Sequence, residues 1–173
     1  VLDMGADGIL VPMVGSREDA EKIVQLVKYP PVGKRGISTT RAHTNYAPPP
    51  LSEYVKIAND RTVILTQIET KEGVENAFEI ASVDGIDALM IGPNDLAVDH
   101  GTPGNIDTPE MNASIEKVLA ASQKAGKPIG FIHSNINFIK KWRKRGMTIF
   151  SCGSEVGMMM SSAKKNRMEF DAE

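Results

Sequence analysis

The chain has 173 residues, with 20 lysines and arginines against 22 aspartates and glutamates, so its formal net charge is −2. This balance argues against a nucleic-acid-binding protein, which usually carries a strong basic excess. No apolar run approaches the roughly 18 residues of a membrane span. The single cysteine, Cys152, excludes an intrachain disulfide and a cysteine-rich zinc site. We therefore expect one domain over residues 1–173, in the reducing setting of the cytoplasm.

The sequence opens in the middle of a structural pattern. Residues 1–5 are typical of the last turn of a helix closed by a glycine cap, and Val1 is not an initiator methionine. This start also lacks the charged, apolar and small-residue parts of a signal peptide. We expect that an N-terminal portion precedes Val1.

Short apolar runs alternate with segments of helical periodicity along the chain. Ser16 and Asp19 form a capping-box pattern, and Thr108 is followed by a proline at the first helical position. The five predicted strands are residues 8–14, 62–68, 88–91, 128–132 and 147–152. Helices are predicted to begin near Ser16, Thr70, Thr108 and Asn135, and a methionine-rich helical tail follows the fifth strand.

Continuous apolar strands separated by helices indicate a parallel sheet covered by helices. Right-handed crossovers leave two arrangements, a barrel or a doubly wound sheet. The segments GADGILVP at 5–12 and GIDALMIGP at 85–93 resemble each other, and such a repeated βα unit favours the barrel. Because five strands cannot close an eight-stranded barrel, about three further units would lie upstream.

One long segment, residues 29–50, interrupts this alternation with five prolines. Loops of this length in compact domains are usually functional or disordered. Residues 33–46 are rich in hydrogen-bond donors, among them Arg35, Arg41, His43 and Tyr46, and we expect them to fold over a site.

The candidate site residues follow from one rule of parallel α/β folds, which place their active sites at the C-terminal ends of the strands. The polar residues at these positions are Gln67, Glu69, Asn94, Asp95, His133, Ser134, Cys152 and Ser154.

Glu69 and Asp95 are the sharpest pair among them, because they lie one βα unit apart and should leave neighbouring strands. Two carboxylates there suit a hard divalent cation such as Mg²⁺ or Mn²⁺, which binds a few protein oxygens together with water and substrate. The alternative is that Glu69 caps the next helix and Asp95 is an N-cap in a turn.

Residues 92–96 (GPNDL) form a strand-to-loop junction with two interpretations. A short helix there would offer free N–H groups to a substrate carboxylate. An ordinary tight turn is the interpretation that composition favours. His133 is more often a hydrogen-bonded structural residue than a base, and Cys152 is expected to be a buried, inert thiol.

Two further runs are assigned structural roles. The basic run at 140–145 predicts a solvated helix face with Trp142 turned toward the sheet. The run Met158, Met159 and Met160 predicts a core or oligomer contact. The sequence contains no phosphate-binding, dinucleotide-binding, zinc-protease or serine-hydrolase motif. No lysine ends a strand, which weakens Schiff-base chemistry; the nearest, Lys71, is expected in the first turn of a helix.

Taken together, these motifs resemble the HpcH/HpaI aldolase family. The similarity rests on GADGILVPMV at 5–14, KRG at 34–36, QIET at 67–70, IGPNDL at 91–96, AGKP at 125–128 and residues 146–157. Within this family, the sequence resembles the branch that contains macrophomate synthase.

The resemblance implies a (β/α)8 TIM barrel, here its C-terminal five βα units, in a hexamer with exchanged C-terminal helices. It implies that Glu69 and Asp95 bind a divalent metal cation, with Mg²⁺ favoured over Mn²⁺ or Co²⁺. Gln67 would act beside the substrate, and the backbone at Asn94 and Asp95 would bind the pyruvate carboxylate. The implied activity is a carbon–carbon lyase that cleaves or forms 4-hydroxy-2-oxo acids from 2-oxo acid and aldehyde substrates, through a metal-stabilised pyruvate enolate. Oxaloacetate decarboxylation would reach the same enolate.

The sequence departs from the family pattern in one respect. The family's early strands supply a His-Asp pair and an arginine, and the matching strands do not occur in residues 1–173; Arg41 and His43 are not assigned those roles. Two alternatives therefore stay open. One is a non-catalytic paralogue that binds metal or associates with full-length subunits, and the other is a Schiff-base or phosphate-binding barrel.

Overall fold

Five parallel strands form the centre of the fold in the computed structural model, which describes residues 1–172. Glu173, the last residue of the predicted domain, lies outside the described residues. The strands are β1 (Gly8–Val11), β2 (Val63–Ile68), β3 (Ala88–Ile91), β4 (Ile129–Ile132) and β5 (Ile149–Ser151). The helices are α1 (Arg17–Val27), α2 (Leu51–Arg61), α3 (Lys71–Glu75), α4 (Ala77–Ala81), α5 (Pro93–Asp99), α6 (Pro109–Lys124), α7 (Ile136–Arg143) and α8 (Glu155–Phe170).

The order of the strands decides between the two predicted arrangements. Each strand pairs in parallel with the next one along the chain, in the order β1-β2-β3-β4-β5. A doubly wound sheet reverses its strand order at a switch point, whereas a (β/α)8 barrel keeps the chain order. The described residues therefore form a partial (β/α)8 barrel, and the predicted fold class is confirmed.

Two predicted strands were too long. The first was expected over 8–14, but β1 ends at Val11, because Pro12 lacks an N–H group and Met13 adopts a left-handed φ of 56°. The fifth was expected over 147–152, but β5 begins at Ile149, because the Met147 N–H still bonds the carbonyl of Trp142 in the turn after α7.

The predicted caps are confirmed at the starts of the helices. Ser16 and Asp19 form a complete capping box at α1, and the side chains of Thr70, Thr108 and Asn135 accept backbone N–H groups at α3, α6 and α7. These side chains satisfy donors that have no partner within a helix, so the local sequence fixes where each helix begins.

The main core lies between the sheet and the helices. Along β2 the side chains of Ile64, Thr66 and Ile68 are buried, whereas the alternate residues Leu65 and Gln67 are only partly buried. Because successive side chains of a strand point to opposite faces, β2 turns one face toward the helices and the other toward the interior side of the curled sheet.

The basic run on α7 is confirmed as a solvated face with a buried anchor. Trp142 is fully buried and packs edge-on against Phe131 at a centroid distance of 6.0 Å, while Lys140, Arg143 and Lys144 are exposed. The long cationic side chains therefore remain in solvent while the indole contributes apolar burial.

The core interpretation of the methionine run was wrong. Met158, Met159 and Met160 are 62%, 68% and 54% exposed, and all residues of α8 are exposed. Helical periodicity identified the helix but could not show which surface, if any, would cover it. No helix within residues 1–172 is long and apolar enough to span a bilayer.

We predict that Trp142→Ala lowers the free energy of unfolding by about 3–5 kcal/mol, because it leaves a large cavity beside Phe131 and Phe138. Urea denaturation followed by circular dichroism measures this loss. Lys140→Ala on the exposed face of the same helix is the matched control, expected within about 0.5 kcal/mol of wild type. Equal effects of the two changes would contradict the assigned burial.

Candidate metal and substrate site

The C-terminal ends of β2 and β3 bring together four of the predicted site residues. The register pairs Gln67 with Met90 and Ile68 with Ile91, so the segments that leave the two strands begin side by side. Gln67 lies in β2, and Glu69 is the first residue after this strand. Asn94 and Asp95 occupy the first turn of α5. The predicted proximity of these residues is thus present.

Glu69 is buried and held from two sides. Only 4% of the residue's surface is exposed to solvent. The backbone N–H of Met13 donates to Glu69 Oε2 at 2.8 Å, and Gln67 Nε2 donates to Glu69 Oε1 at 2.7 Å. Gln67 and Glu69 are two residues apart on an extended chain, which places both side chains on the same side. The carboxylate is therefore fixed in orientation before any ligand binds.

The electrostatics of Glu69 favour a cation beside it. Burial raises the pKa of the Glu69 carboxyl, the Met13 N–H opposes this shift, and the neighbouring Asp95 carboxyl raises the pKa further through its charge and a hydrogen bond. Among the described residues, no lysine, arginine or histidine forms an ion pair with either carboxylate. Two adjacent carboxylates without a counter-charge are a donor set that suits a hard divalent cation.

The same two carboxylates also limit the kind of metal site. Within residues 1–172, no group of three or more histidine, cysteine, aspartate or glutamate side chains could hold a metal ion. Two carboxylates of this kind suit a cation such as Mg²⁺, which binds through one or two carboxylates and keeps several water or substrate ligands.

The capping alternative for the two carboxylates was wrong. Thr70, not Glu69, caps α3 by accepting the N–H of Gly73 at 3.0 Å. The N-cap of α5 is Gly92, and Asp95 lies within the first turn instead of capping it. The tight turn favoured by composition was also wrong, since Pro93 begins a helix of seven residues. Pro93 fits there because the first helical position needs no N–H.

Gly92 provides the space in which Gln67 and Glu69 meet. A Cβ atom at residue 92 would overlap Glu69 Oε1 and would lie 2.6 Å from Gln67 Nε2. Sequence reasoning placed this glycine in the junction but did not identify its role. It also missed the Met13 N–H, because a backbone donor can come from any residue except proline.

The predicted residues on β4 and β5 do not join this group. His133 Nδ1 accepts the backbone N–H of Asn135 at 2.9 Å, which supports its structural interpretation, and Ser134 is exposed. Ser154 caps α8 by accepting the N–H of Gly157. The expectation of a buried Cys152 was wrong, because the thiol is exposed beyond the short strand β5.

The loop 33–46 was expected to fold over the site, and this was also wrong. Arg35 pairs with Asp3 and stacks on the ring of Tyr29 at 4.5 Å, and His43 Nδ1 lies 3.2 Å from the carbonyl oxygen of Asp3. Asp3 precedes β1, so these contacts hold the loop at the N-terminal ends of the strands, away from Glu69. Arg35 and His43 thus contact the residues before β1, whereas Arg41 donates to Ser38 within the loop.

We predict that Gly92→Ala destabilises the fold by about 1–3 kcal/mol, because the added methyl group must displace Glu69 and Gln67. Urea denaturation measures the change. Gly36→Ala is the control, since a Cβ at residue 36 meets nothing within 4 Å. A Gly92→Ala variant as stable as Gly36→Ala would contradict this packing.

We also predict a pH dependence that belongs to Glu69. Because its pKa is raised above the ordinary 4.5, the folded chain binds this proton more tightly than the unfolded chain does. Its contribution to stability is therefore full below the unfolded pKa and is lost as the pH rises through the raised value.

In EDTA, Glu69→Gln should thus gain stability over wild type as the pH rises above the ordinary 4.5 and through the raised pKa of Glu69. Urea midpoints at a series of pH values measure this difference. Glu53→Gln, on the exposed face of α2, should keep the wild-type slope. Parallel curves for wild type and Glu69→Gln would refute the raised pKa.

Comparisons with known proteins agree with the fold. The family model described as HpcH/HpaI aldolase/citrate lyase matches residues 1–162. The chain is 35% identical to a 4-hydroxy-2-oxo-heptane-1,7-dioate aldolase of Salmonella paratyphi A, over 100% of this chain and 65% of that protein. It is also 35% identical to a hydroxypyruvate/pyruvate aldolase of Roseovarius nubinhibens, over 95% of this chain and 64% of that protein.

Solved structures give the same result. An HpcH/HpaI aldolase of Desulfitobacterium hafniense aligns with a TM-score of 0.85 and 34% identity, over 96% of this chain and 65% of that one. Macrophomate synthase aligns with a TM-score of 0.75 and 26% identity, over 99% and 62%. The chain thus spans just under two thirds of the length of the curated relatives it matches. It belongs to the HpcH/HpaI aldolase/citrate lyase family.

Proposed function

We propose that the protein acts as a carbon–carbon lyase that cleaves or forms 4-hydroxy-2-oxo acids through a metal-stabilised pyruvate enolate. One observation carries this proposal: a buried carboxylate, Glu69, faces a second carboxylate, Asp95, at the C-terminal edge of the partial barrel, with no ion-pair partner among the described residues. The relatives named as aldolases of 2-oxo acids support the substrate class.

Glu69 and Asp95 are the residues that would hold the divalent cation, and Mg²⁺ is our first candidate, with Mn²⁺ or Co²⁺ as substitutes. Such a cation would supply a Lewis acid that stabilises the negative charge of the enolate. Glu69 is suited to this role because Met13 and Gln67 hold both of its carboxylate oxygens. Its side chain therefore loses little conformational freedom when it binds the cation.

The chain's own groups would orient the substrate. The N–H groups of Asn94 and Asp95 lie in the first turn of α5, where a helix leaves its donors unpaired, and they would bind the carboxylate of pyruvate. Gln67 would lie beside the substrate, with its Nε2 held by Glu69. Gly92 leaves room for this arrangement because it carries no side chain.

A second candidate function is supported by what the described residues lack at this point. No histidine or arginine among residues 1–172 forms a hydrogen bond or an ion pair with Gln67, Glu69 or Asp95. A chain with only these groups could bind metal, or associate with full-length subunits, without catalysis.

Some wider features stay predictions. Oxaloacetate decarboxylation would use the same enolate and the same residues. A single partial-barrel domain, a hexamer with exchanged C-terminal helices and a cytoplasmic setting also belong to the proposal; the exposed methionines of α8 support the exchange.

The decisive experiment follows proton exchange at C3 of pyruvate in D₂O by NMR, with Mg²⁺ or Mn²⁺ and then with EDTA. We expect exchange that is lost on chelation and that falls by about 100-fold or more in Glu69→Ala and Asp95→Ala, since each removes a ligand of the Lewis acid. Glu53→Ala is the control and should exchange at the wild-type rate.

Each other outcome points elsewhere. Exchange that resists EDTA, together with borohydride trapping on a lysine, would favour a Schiff-base enzyme. Mn²⁺ binding without any exchange would favour the non-catalytic alternative. Near-normal exchange in either alanine variant would refute the assigned site.

A further inference from the structure

Two consecutive backbone N–H groups at the end of β1 point toward β2. Met13 N–H donates to Glu69 Oε2 at 2.8 Å, and Val14 N–H donates to the carbonyl of Gln67 at 3.2 Å. In an extended strand, successive N–H groups point to opposite sides. The left-handed φ of 56° at Met13 breaks this alternation, so that both donors reach acceptors at the end of β2.

The residues that follow Met13 are anchored, so its conformation cannot relax without breaking other contacts. The carbonyl of Gly15 accepts from Asn76 Nδ2 at 2.8 Å, and its N–H donates to Asp19 Oδ2 at 3.2 Å. Val14 is 2% exposed, and its carbonyl lies so close to Gly73 that a Cβ there would be 2.8 Å away. The segment is thus fixed on α1, α3 and the junction with α4.

The side chain of Met13 has little part in this arrangement, because it is 59% exposed. Residues other than glycine, asparagine and aspartate seldom adopt left-handed φ values, and they persist there only where the surroundings impose them. Here the surroundings impose a backbone conformation in which the Met13 N–H faces the buried Glu69 carboxylate.

We propose that Met13 is a positioning residue whose left-handed backbone holds the Glu69 carboxylate in the orientation in which it binds a divalent cation. The inference rests on the proposed function and deepens it. By this inference, the segment after β1 belongs to the site because it orients the Glu69 carboxylate, a role that does not follow from the positions of Glu69 and Asp95 alone.

A substitution series at residue 13 tests the inference, because the exposed side chain can change while the backbone preference is varied. Met13→Val disfavours left-handed φ, whereas Met13→Asn and Met13→Gly tolerate it. Mn²⁺ binding to the purified chain, followed by the electron paramagnetic resonance signal of free Mn²⁺, gives the Kd. We expect a Kd raised about five- to tenfold in Met13→Val and within about twofold of wild type in Met13→Asn and Met13→Gly.

Tyr46 provides the matched control. It also has a left-handed φ, of 60°, and is exposed, but it lies in the loop at the opposite end of the strands. Tyr46→Val and Tyr46→Gly should leave the Kd for Mn²⁺ unchanged, even where they shift the melting temperature. An unchanged Kd in Met13→Val, or equal weakening in Met13→Val and Met13→Gly, would overturn the inference.

A second readout needs no metal. Hydrogen exchange of the Met13 amide in EDTA should be at least about tenfold faster in Glu69→Ala than in wild type, because its acceptor is removed. A wild-type chain that binds Mn²⁺ but leaves the Met13 amide unprotected would overturn this inference alone. A wild-type chain that binds no Mn²⁺ would overturn the proposed metal site and the role of Met13 with it.

Discussion

The parallel register of β2 and β3 is the constraint on which the candidate site depends. Gln67 lies beside Met90 and Ile68 beside Ile91, so the segments that leave these strands start about one strand spacing apart. Without this alignment, Glu69 and Asp95 would be two unrelated surface acids 26 residues apart. With it, the Asp95 carboxyl raises the pKa of the buried Glu69 carboxyl, and a cation is favoured at this point.

Burying the Glu69 carboxylate destabilises the folded chain, which a residue with a purely structural role would not do. An unpaired carboxylate is destabilising in a buried environment, and two hydrogen bonds from Met13 and Gln67 offset only part of this cost. Binding sites commonly contain residues that lower the stability of the fold but are needed to bind a ligand. The destabilisation is offset if a divalent cation completes the site, which is why the family membership and the electrostatics support the same proposal.

Sequence patterns predicted the elements well wherever the signal was local. The caps at Ser16, Thr70 and Thr108 are confirmed, because a capping side chain and the backbone N–H that donates to it lie within three residues of each other. The wrong predictions concern burial and contacts, which depend on how segments far apart in the sequence approach one another. Cys152 and the methionines of α8 are exposed, and the loop 33–46 pairs with Asp3 through Arg35, a partner 32 residues away.

The sequence by itself determined the alternation of strands and helices, the family, and the choice of Glu69 and Asp95, because these depend on residue type, periodicity and spacing. Only the tertiary structure decided that Gly92 makes room for the two side chains and that the amide of Met13 holds Glu69. The physical reason is that steric space and backbone donors are set by how separate segments approach one another. A backbone N–H is common to every residue except proline, so nothing in the letter code marks the one that binds.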